Sequence, residues 1–238
     1  MNIIINGQFK IIKKIGHGSF GKIYKGQNIN NNEYVAIKME KKKKNGSYLY
    51  REGYIYNKLK LNQQSFKHFP ESIWCGHTKI FDFLVLPLYS SNIRSYLLHH
   101  KWDRSKWNFI AKNSLEAIKN LHKCSILHRD IKPENFVFTS DFNNIMLIDY
   151  GLSITFNSTK KTIWVGTPKF ASPWIGSDRK YYIENDDLSS WWLMMLWCWN
   201  RGKLPWSCDI GKKKLTKKET KKELLKLQQQ KKKWLDDF

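Results

Sequence analysis

Cysteine is scarce in this sequence. The 238 residues include four cysteines, with neither a C-x-x-C pair nor a zinc-type pairing with histidine: Cys75, Cys124, Cys198 and Cys208. A zinc site and a disulfide framework are therefore not expected. Reduced thiols are typical of an intracellular protein, so the pattern predicts a location in the cytoplasm or the nucleus.

Long apolar runs are also missing. The longest, Trp191 to Trp199, has nine residues, whereas a helix needs about 20 to cross a membrane. Residues Met1 to Gly7 are apolar but have neither the basic start nor the cleavage pattern of a signal peptide. We therefore expect a soluble chain without a membrane span.

Acidic residues are outnumbered by basic ones. Lys and Arg total 42 against 20 Asp and Glu, which gives a formal net charge of +22. This charge favours acidic partners, such as phosphates, nucleic acid, acidic protein segments or an anionic membrane surface. Aromatic residues make up 15% of the chain, including 11 Trp. That content argues against disorder, and the length allows one large domain or two small lobes.

The first 90 residues have the patterns of strands with one helix. Alternation or apolar runs at 9–14, 22–26, 34–39 and 81–88 predict strands, and glycines interrupt them after residue 15. The apolar spacing within 48–61 predicts a helix.

Helices dominate the later part. Residues 105–124 have the apolar spacing of an amphipathic helix. Asp186 or Asp187 could begin another, because aspartate accepts the free N–H groups of a first turn. That helix is apolar on nearly all sides and must be buried. The order predicts an α+β chain with two lobes and a boundary near residues 88–92.

A glycine-rich stretch, Gly16-His-Gly-Ser-Phe-Gly21, matches G-x-G-x-x-G. Residues without Cβ let backbone N–H groups approach phosphates closely. A dinucleotide fingerprint would need a helix directly after it, but here a strand resumes at Ile23. The pattern favours a flap between two strands that lies over phosphates, with a tight hairpin turn as the alternative.

Lys38 ends the apolar strand Val35-Ala-Ile-Lys38. A lysine at this place is usually an edge residue, but beside the flap it is a candidate ligand for the α- and β-phosphates. If it faces inward it needs a partner, because an unpaired buried charge is costly. Glu52, on the next predicted helix, is the best candidate partner, and a solvated helix glutamate is the alternative.

The strongest motif is His128-Arg-Asp-Ile-Lys-Pro-Glu-Asn135, which fits H-R-D-x-x-x-x-N at every fixed position. Asp130 can accept a hydrogen bond from a substrate hydroxyl and orient it. Lys132 can neutralise a γ-phosphate during transfer, and Asn135 can bind a divalent cation.

Asp149 follows the short apolar strand 146–148 and precedes Tyr150 and Gly151. A carboxylate at a strand end, 19 residues after Asp130, suits magnesium that bridges phosphates. The D-Y-G triplet by itself is equally compatible with a simple turn. It indicates a magnesium ligand only because it follows the other motifs in this order.

Taken in order, these motifs resemble the eukaryotic protein kinase superfamily over about residues 9–207. Three further segments are similar to the casein kinase 1 group: Gly166-Thr-Pro-Lys-Phe-Ala-Ser172, Asn185-Asp-Asp-Leu-Ser-Ser190 and Asn200-Arg-Gly-Lys-Leu-Pro-Trp206. Tyr150 is instead similar to the vaccinia-related kinases.

The resemblance implies a two-lobed protein-kinase-like fold within residues 9–207. A small lobe of antiparallel sheet plus one helix would span 9–88, a hinge 87–91, and a mostly helical large lobe 92–207. Residues 208–238 would be a basic, helical tail. Only 32 residues follow Trp206, so the large lobe is expected to be shortened at its C-terminus.

The resemblance also implies roles at the matching positions. Asp130 would be the catalytic base, with Lys132 beside it. Asn135 and Asp149 would hold Mg²⁺. ATP would contact residues of the flap, the sheet and the hinge, with Lys38 and Glu52 as an ion pair: Ile15, Gly16, Gly18, Gly21, Ile23, Ala36, Lys38, Glu52, Leu86, Pro87, Tyr89 and Val137.

Within that set, Leu86 would be the gatekeeper. Pro87 would offer its carbonyl and Tyr89 its N–H at the hinge, since proline lacks only the N–H. Outside the set of ATP-contacting residues, Lys132 and Thr167 favour a serine/threonine kinase over a tyrosine kinase. Asp187 would brace the catalytic loop from below.

Two features depart from the casein kinase 1 group. Glu184 and Asn185 stand where that group has basic residues that bind phosphate on primed or acidic substrates, so a preference for primed substrates does not follow.

The stretch between residues 151 and 166 is shorter than in the casein kinase 1 group. Its hydroxyl residues are either phosphorylation sites that would pair with Arg129 or ordinary loop residues: Ser153, Thr155, Ser158, Thr159 and Thr162.

The Trp-rich segment 191–199 needs a cover, because a large exposed apolar patch invites association. The tail carries apolar residues at roughly helical spacing and could dock there as one amphipathic helix: Leu224, Leu227, Trp234 and Leu235. The alternatives are a partner protein that covers this surface, or a reduced or truncated kinase.

Three functions remain open at this point. The first is an active serine/threonine kinase that transfers the γ-phosphate of ATP to hydroxyls of protein substrates. The second is a pseudokinase or scaffold that binds nucleotide or a partner without turnover. The third is binding of nucleic acid or an acidic partner by the basic tail, although lysine runs are usually solvated faces.

Overall fold

The computed structural model describes residues 3–17, 21–42, 47–61, 67–101, 103–156, 165–175, 181–206 and 217–237. The chain divides into two compact units. The first unit comprises Met1–Ser91 and Val137–Gly151, and the second unit comprises Asn92–Phe136 and Leu152–Phe238.

A six-stranded antiparallel sheet forms most of the first unit, in the order β1-β2-β3-β4-β6-β5. The strands are β1 (Ile4–Ile5), β2 (Phe9–His17), β3 (Lys22–Asn28), β4 (Tyr34–Lys41), β5 (Trp74–His77) and β6 (Phe81–Pro87). One helix, α1 (Tyr48–Leu61), follows β4. The strand and helix patterns of the sequence therefore match this unit, except that β1 and β5 were not predicted.

Side-chain alternation decides which residues of β4 reach the core. Val35 and Ile37 are buried with apolar residues of β1, β2 and β6. Because successive side chains of a strand point to opposite faces, Ala36 and Lys38 belong to the other face. In the ladder Lys38 is paired with Ile23 of β3.

The second unit is mostly helical. Its helices are α2 (Ile93–His99), α3 (Arg104–Lys123), α4 (Glu184–Trp199) and α5 (Lys217–Asp236). Two short strands, β7 (Ile126–Leu127) and β10 (Ile154–Thr155), pair antiparallel within it. Between them along the chain come β8 (Phe136–Phe138) and β9 (Ile145–Leu147), which form a second two-stranded sheet. The prediction of an α+β fold, with an antiparallel sheet and one helix followed by a mostly helical part, is confirmed.

Helix α4 begins at Glu184, before the Asp186 or Asp187 that the sequence pattern indicated. Asp186 is its third residue. Oδ2 of Asp186 accepts a hydrogen bond from the N–H of Ile183 at 3.0 Å. Asp186 thus satisfies a free N–H from inside the first turn rather than from the capping position. The carboxylate of Asp187 instead accepts hydrogen bonds from the backbone N–H groups of His128 and Arg129.

Helix α5 packs against α4 and the segment that follows it. Leu227 is buried with Leu193 and Trp206. The ring of Trp234 lies 5.8 Å from Trp192 and 5.8 Å from Trp206, measured between centroids. The lysine-rich tail therefore covers part of the Trp-rich helix, as its apolar spacing indicated. Among the described residues, no helix is both long enough and apolar enough to cross a membrane.

Removing the Trp234 ring is expected to destabilise the second unit. Trp→Ala in a fully buried position costs about 3–5 kcal/mol. Because Trp234 is half-buried, Trp234→Ala should cost about 2 kcal/mol, or about 4–8 °C in Tm. Leu225→Ala, on an exposed position of the same helix, is the matched control and should change stability by less than about 0.5 kcal/mol. Equal Tm values for both variants would contradict the packing role of Trp234.

Candidate active site

Lys38 lies between two carboxylates of the first unit. Its Nζ is 2.6 Å from Oε1 of Glu52 and 3.0 Å from Oδ1 of Asp149. Strand β4 supplies the lysine, α1 supplies Glu52, and the turn after β9 supplies Asp149. The lysine thus faces inward and is paired, and Glu52 is buried rather than solvated.

The charges in this cluster depend on one another. Burial lowers the pKa of Lys38, but the negative charges of Asp149 and Glu52 outweigh it and raise that pKa above its usual range. Burial raises the pKa of Glu52 to about 7, despite the opposing influence of the Lys38 ammonium. Oε2 of Glu52 has no hydrogen-bond partner among the described residues. Lys38 is therefore a permanent cation held by two acids, one of which titrates near neutral pH.

Asp149 adopts an unusual backbone conformation. Its φ of 73° lies in the left-handed region, which is uncommon for residues other than glycine and is concentrated at functional sites. The next residue, Tyr150, is buried, and its hydroxyl donates to the carbonyl oxygen of Leu147 at 2.7 Å. Its ring stacks edge-on against Tyr56, with centroids 4.9 Å apart. The buried hydroxyl is thus satisfied, and the tyrosine anchors the turn that presents Asp149.

The described glycines of the flap differ in what their missing Cβ permits. Gly16 pairs with Ile23 across the β2–β3 ladder, and a Cβ on it would meet only that side chain, at 3.8 Å. A Cβ on Gly21 would lie 2.2 Å from the carbonyl oxygen of Met39. Gly21 is therefore required by the close approach of β4. Gly18 lies outside the described residues.

The remaining residues of the expected ATP site belong to the first unit. Ala36 is paired with Leu86 between β4 and β6, and Pro87 ends β6 opposite Val35. The others lie on β2, on β3, just after β6 and on β8: Ile15, Ile23, Tyr89 and Val137. Leu86 and Val137 are buried, whereas Ile15 is exposed. The ladder thus brings Ile23 next to Lys38 and Ala36 next to Leu86.

In the second unit, Asp130 is the centre of a polar triad. Its Oδ1 accepts a hydrogen bond from the Thr167 hydroxyl at 2.7 Å, and its Oδ2 accepts one from Nζ of Lys132 at 2.5 Å. Lys132 also donates to Oγ1 of Thr167 at 3.2 Å. Nδ2 of Asn135 donates to the Asp130 carbonyl oxygen at 2.7 Å. The carboxylate is therefore oriented from both sides and is 5% exposed.

Asp187 holds the chain just before this triad. Its fully buried carboxylate accepts from the backbone N–H groups of His128 and Arg129 at 2.8 and 2.9 Å. The hydroxyl of Tyr182 lies 3.1 Å from Oδ1, and Nε2 of His122 lies 3.0 Å from Oδ2. This is the brace that the sequence placed at the start of the central helix. It stabilises Arg129 at a φ of 67°, directly before Asp130.

The loop residues proposed for phosphorylation are only partly described. Ser153 donates to the carbonyl of His128 at 3.3 Å, and Nε of Arg129 donates to the carbonyl of Leu152 at 2.7 Å. Both groups thus already support the loop in this structure. Three of the candidates lie outside the described residues: Ser158, Thr159 and Thr162.

A family model of the protein kinase domain matches residues 9–237. The chain belongs to the protein kinase family. The match runs through α5, beyond residue 207, where the sequence motifs ended. Membership supports protein kinase activity over the pseudokinase alternative. It also implies the use of ATP and a divalent metal ion.

The residues of this kinase fit those two groups chemically. Lys38 has three N–H donors, and Glu52 and Asp149 account for two of them, so a third is left for a phosphate oxygen. Asn135 uses its N–H as a donor, which leaves the amide oxygen to coordinate. Magnesium prefers oxygen ligands; the first unit offers the Asp149 carboxylate, and the second unit offers the Asn135 amide oxygen.

The sequence of this kinase did not reveal two of its polar contacts. Thr167 was identified only as a marker of acceptor type, yet its hydroxyl contacts the Asp130 carboxylate directly. Lys231 looked like one member of a solvated lysine run, yet it is fully buried. Helical spacing does separate Lys231 from its neighbours in the run, because it lies four residues after Leu227 and three before Trp234, on the apolar face of the predicted helix.

Proposed function

We propose that this kinase transfers the γ-phosphate of ATP to serine and threonine hydroxyls of proteins, with a specificity like that of the casein kinase 1 group. The observation that carries the proposal is the triad around Asp130, a nearly buried carboxylate fixed by Lys132 and Thr167. Such an arrangement suits a group that must orient a hydroxyl, because phosphoryl transfer depends mainly on positioning and on charge stabilisation.

In this proposal Asp130 is the catalytic base. Its carboxylate accepts the hydrogen bond of the substrate hydroxyl and takes up the proton as the hydroxyl oxygen bonds to the γ-phosphorus. The bond between the γ-phosphorus and the bridging oxygen breaks, and ADP leaves. Lys132 offsets the negative charge that builds up on the transferred group.

The first unit supplies the ligands of ATP. Lys38 would contact the α- and β-phosphates, with Glu52 as its structural partner. Asp149 would be a ligand of Mg²⁺, which would neutralise phosphate charge. In the second unit, Asn135 is proposed as a further Mg²⁺ ligand. The flap, the apolar pocket and the hinge would hold the rest of the nucleotide: Ile15, Gly16, Gly18, Gly21, Ile23, Ala36, Leu86, Pro87, Tyr89 and Val137.

Serine/threonine specificity is supported by Lys132 and Thr167, which share the Asp130 carboxylate. The likeness to casein kinase 1 is supported by the segment Gly166–Ser172, which includes Thr167. No preference for primed substrates is proposed, because the first turn of α4 carries acidic residues, Glu184 among them.

Magnesium-dependent transfer of labelled phosphate to dephosphorylated casein, followed by phosphoamino acid analysis, tests this proposal. We expect phosphoserine and phosphothreonine, and loss of all transfer when EDTA removes the metal. Transfer to tyrosine alone would overturn the serine/threonine assignment. ATP binding by folded protein without transfer would favour the pseudokinase alternative. Phosphorylated casein serves as the matched substrate and should react no faster.

A further inference from the structure

Lys231 of α5 is fully buried in the second unit. Its Nζ donates hydrogen bonds of 2.7 Å to the carbonyl oxygens of Pro168 and Ala171, and it lies 5.8 Å from the centre of the Trp206 ring. Lysine is almost never fully buried unless it is paired, because removing its charge from water is costly. The two carbonyls are thus close hydrogen-bond partners of this buried ammonium.

The two carbonyls belong to residues 165–175, which are neither helix nor strand. Turns pair some backbone groups within the segment, such as the N–H of Ala171 with the carbonyl oxygen of Thr167 at 3.0 Å, and the remaining buried groups need other partners. Carbonyls of the segment accept hydrogen bonds from side chains: Pro168 and Ala171 from Lys231, Ile175 from Gln228, and Lys169 from Trp206. Since Lys231 and Gln228 both lie on α5, that helix fixes the segment along much of its length.

The beginning of the same segment lies against the catalytic loop. Gly166 has a φ of 94°, and a Cβ on it would lie 2.3 Å from the carbonyl oxygen of Arg129. The next residue, Thr167, donates its hydroxyl to Oδ1 of Asp130. Pro168 follows directly. The carbonyl that Lys231 binds therefore belongs to the residue next to the one that orients the carboxylate.

We propose that Lys231 is a positioning residue for phosphoryl transfer. By binding the carbonyls of Pro168 and Ala171, it holds the Thr167 hydroxyl in contact with Asp130, and α5 is part of the catalytic apparatus. The inference rests on the proposed function, in which Asp130 is the catalytic base. The ring of Trp234 packs against Trp192 and Trp206 and stabilises the unit.

Lys231→Met tests this role because methionine keeps much of the volume and removes every N–H donor. A displacement of about 1 Å at a reacting group can cost about 100-fold in rate, so we expect kcat to fall at least about tenfold. The KM for ATP should stay within about twofold, because the Lys38 cluster of the first unit is unchanged. Trp234→Ala is the matched control on α5. It should lower Tm yet leave kcat unchanged well below the melting temperature.

A double-variant cycle separates positioning from general stability. If Lys231 acts through Thr167, then Lys231→Met should add little to the loss of kcat caused by Thr167→Ala, whereas independent effects multiply. Lys231→Gln, which keeps one amide donor, replaces Lys231→Met should the latter fail to fold, and an intermediate kcat is expected for it.

Wild-type kcat in a folded Lys231 variant, or multiplicative losses in the double variant, would overturn this inference alone. Absence of transfer by the wild-type protein would overturn the proposed function, and this inference with it.

Discussion

Asp130→Asn is expected to lower kcat by about 1,000-fold, within the range of about 100- to 10,000-fold that a general base contributes. Asparagine keeps the shape of the side chain, but it cannot take up the substrate proton. Its amide can still bind both neighbours, because the oxygen can accept from Nζ of Lys132 and the N–H group can donate to the Thr167 hydroxyl. Steady-state kinetics with ATP and casein measure the loss.

The same variant separates chemistry from nucleotide binding. Lys38, Glu52 and Asp149 belong to the first unit, so titration with a fluorescent ATP analogue should give an affinity within about twofold of the wild type. Asp141→Asn, at an exposed turn of the first unit, is the matched control and should keep wild-type activity. An Asp130→Asn enzyme that keeps more than a tenth of the wild-type kcat would contradict the assignment of the base.

Sequence reasoning succeeded where the chain itself brings the partners together. Strand β4 ends close to the start of α1 along the chain, so the inward lysine of one and the glutamate of the other could be paired without a structure. The His128–Asn135 octet is likewise local. Its side chains are close because residues a few positions apart in a tight loop cannot be far apart.

Long-range polar contacts could not be read in the same way. Thr167 lies 37 residues from Asp130 and Lys231 lies 60 residues from Ala171, and neither residue type carries a signal for its partner. Lysine in a run of three predicts solvent exposure, although the helical spacing of Leu227 and Trp234 places Lys231 on the apolar face of α5. Burial, not residue type, identifies Lys231.

Short elements were missed for a related reason. Helix α2 has seven residues and is defined by its cap, in which Asn92 accepts from the N–H of Ser95 at 2.8 Å. Such a helix is shorter than the window of about 11–18 residues over which apolar periodicity is read. Strand β5 has four residues, of which two are partly buried and two are exposed. Along the chain, α2 directly precedes α3 and β5 directly precedes β6, and the sequence predicted α3 and β6.

Lys38→Met is expected to lower kcat/KM for ATP by about 100- to 1,000-fold, the usual effect of removing one preorganised electrostatic contact. Its effect on stability should depend on pH. Without the ammonium, Glu52 and Asp149 lose their shared partner, and breaking a buried ion pair costs about 3–5 kcal/mol. Glu52 can avoid part of this cost by taking up a proton, because burial already raises its pKa to about 7 with the lysine present.

Proton linkage determines whether stability rises or falls with pH. The folded-state pKa of Glu52 lies above its value of 4.5 in an unfolded chain, so the folded protein holds a proton that the unfolded chain releases, and stability falls as pH rises through this window. Loss of Lys38 raises the folded-state pKa of Glu52 further and extends the window above pH 7.

Denaturant unfolding at about pH 6 and about pH 8.5 should therefore show that Lys38→Met loses more stability, relative to the wild type, at the higher pH. Lys41→Met, at an exposed position of β4, is the control, and adding Glu52→Gln to Lys38→Met should abolish the pH dependence. A deficit of equal size at both pH values would show that Glu52 does not buffer the loss of its partner.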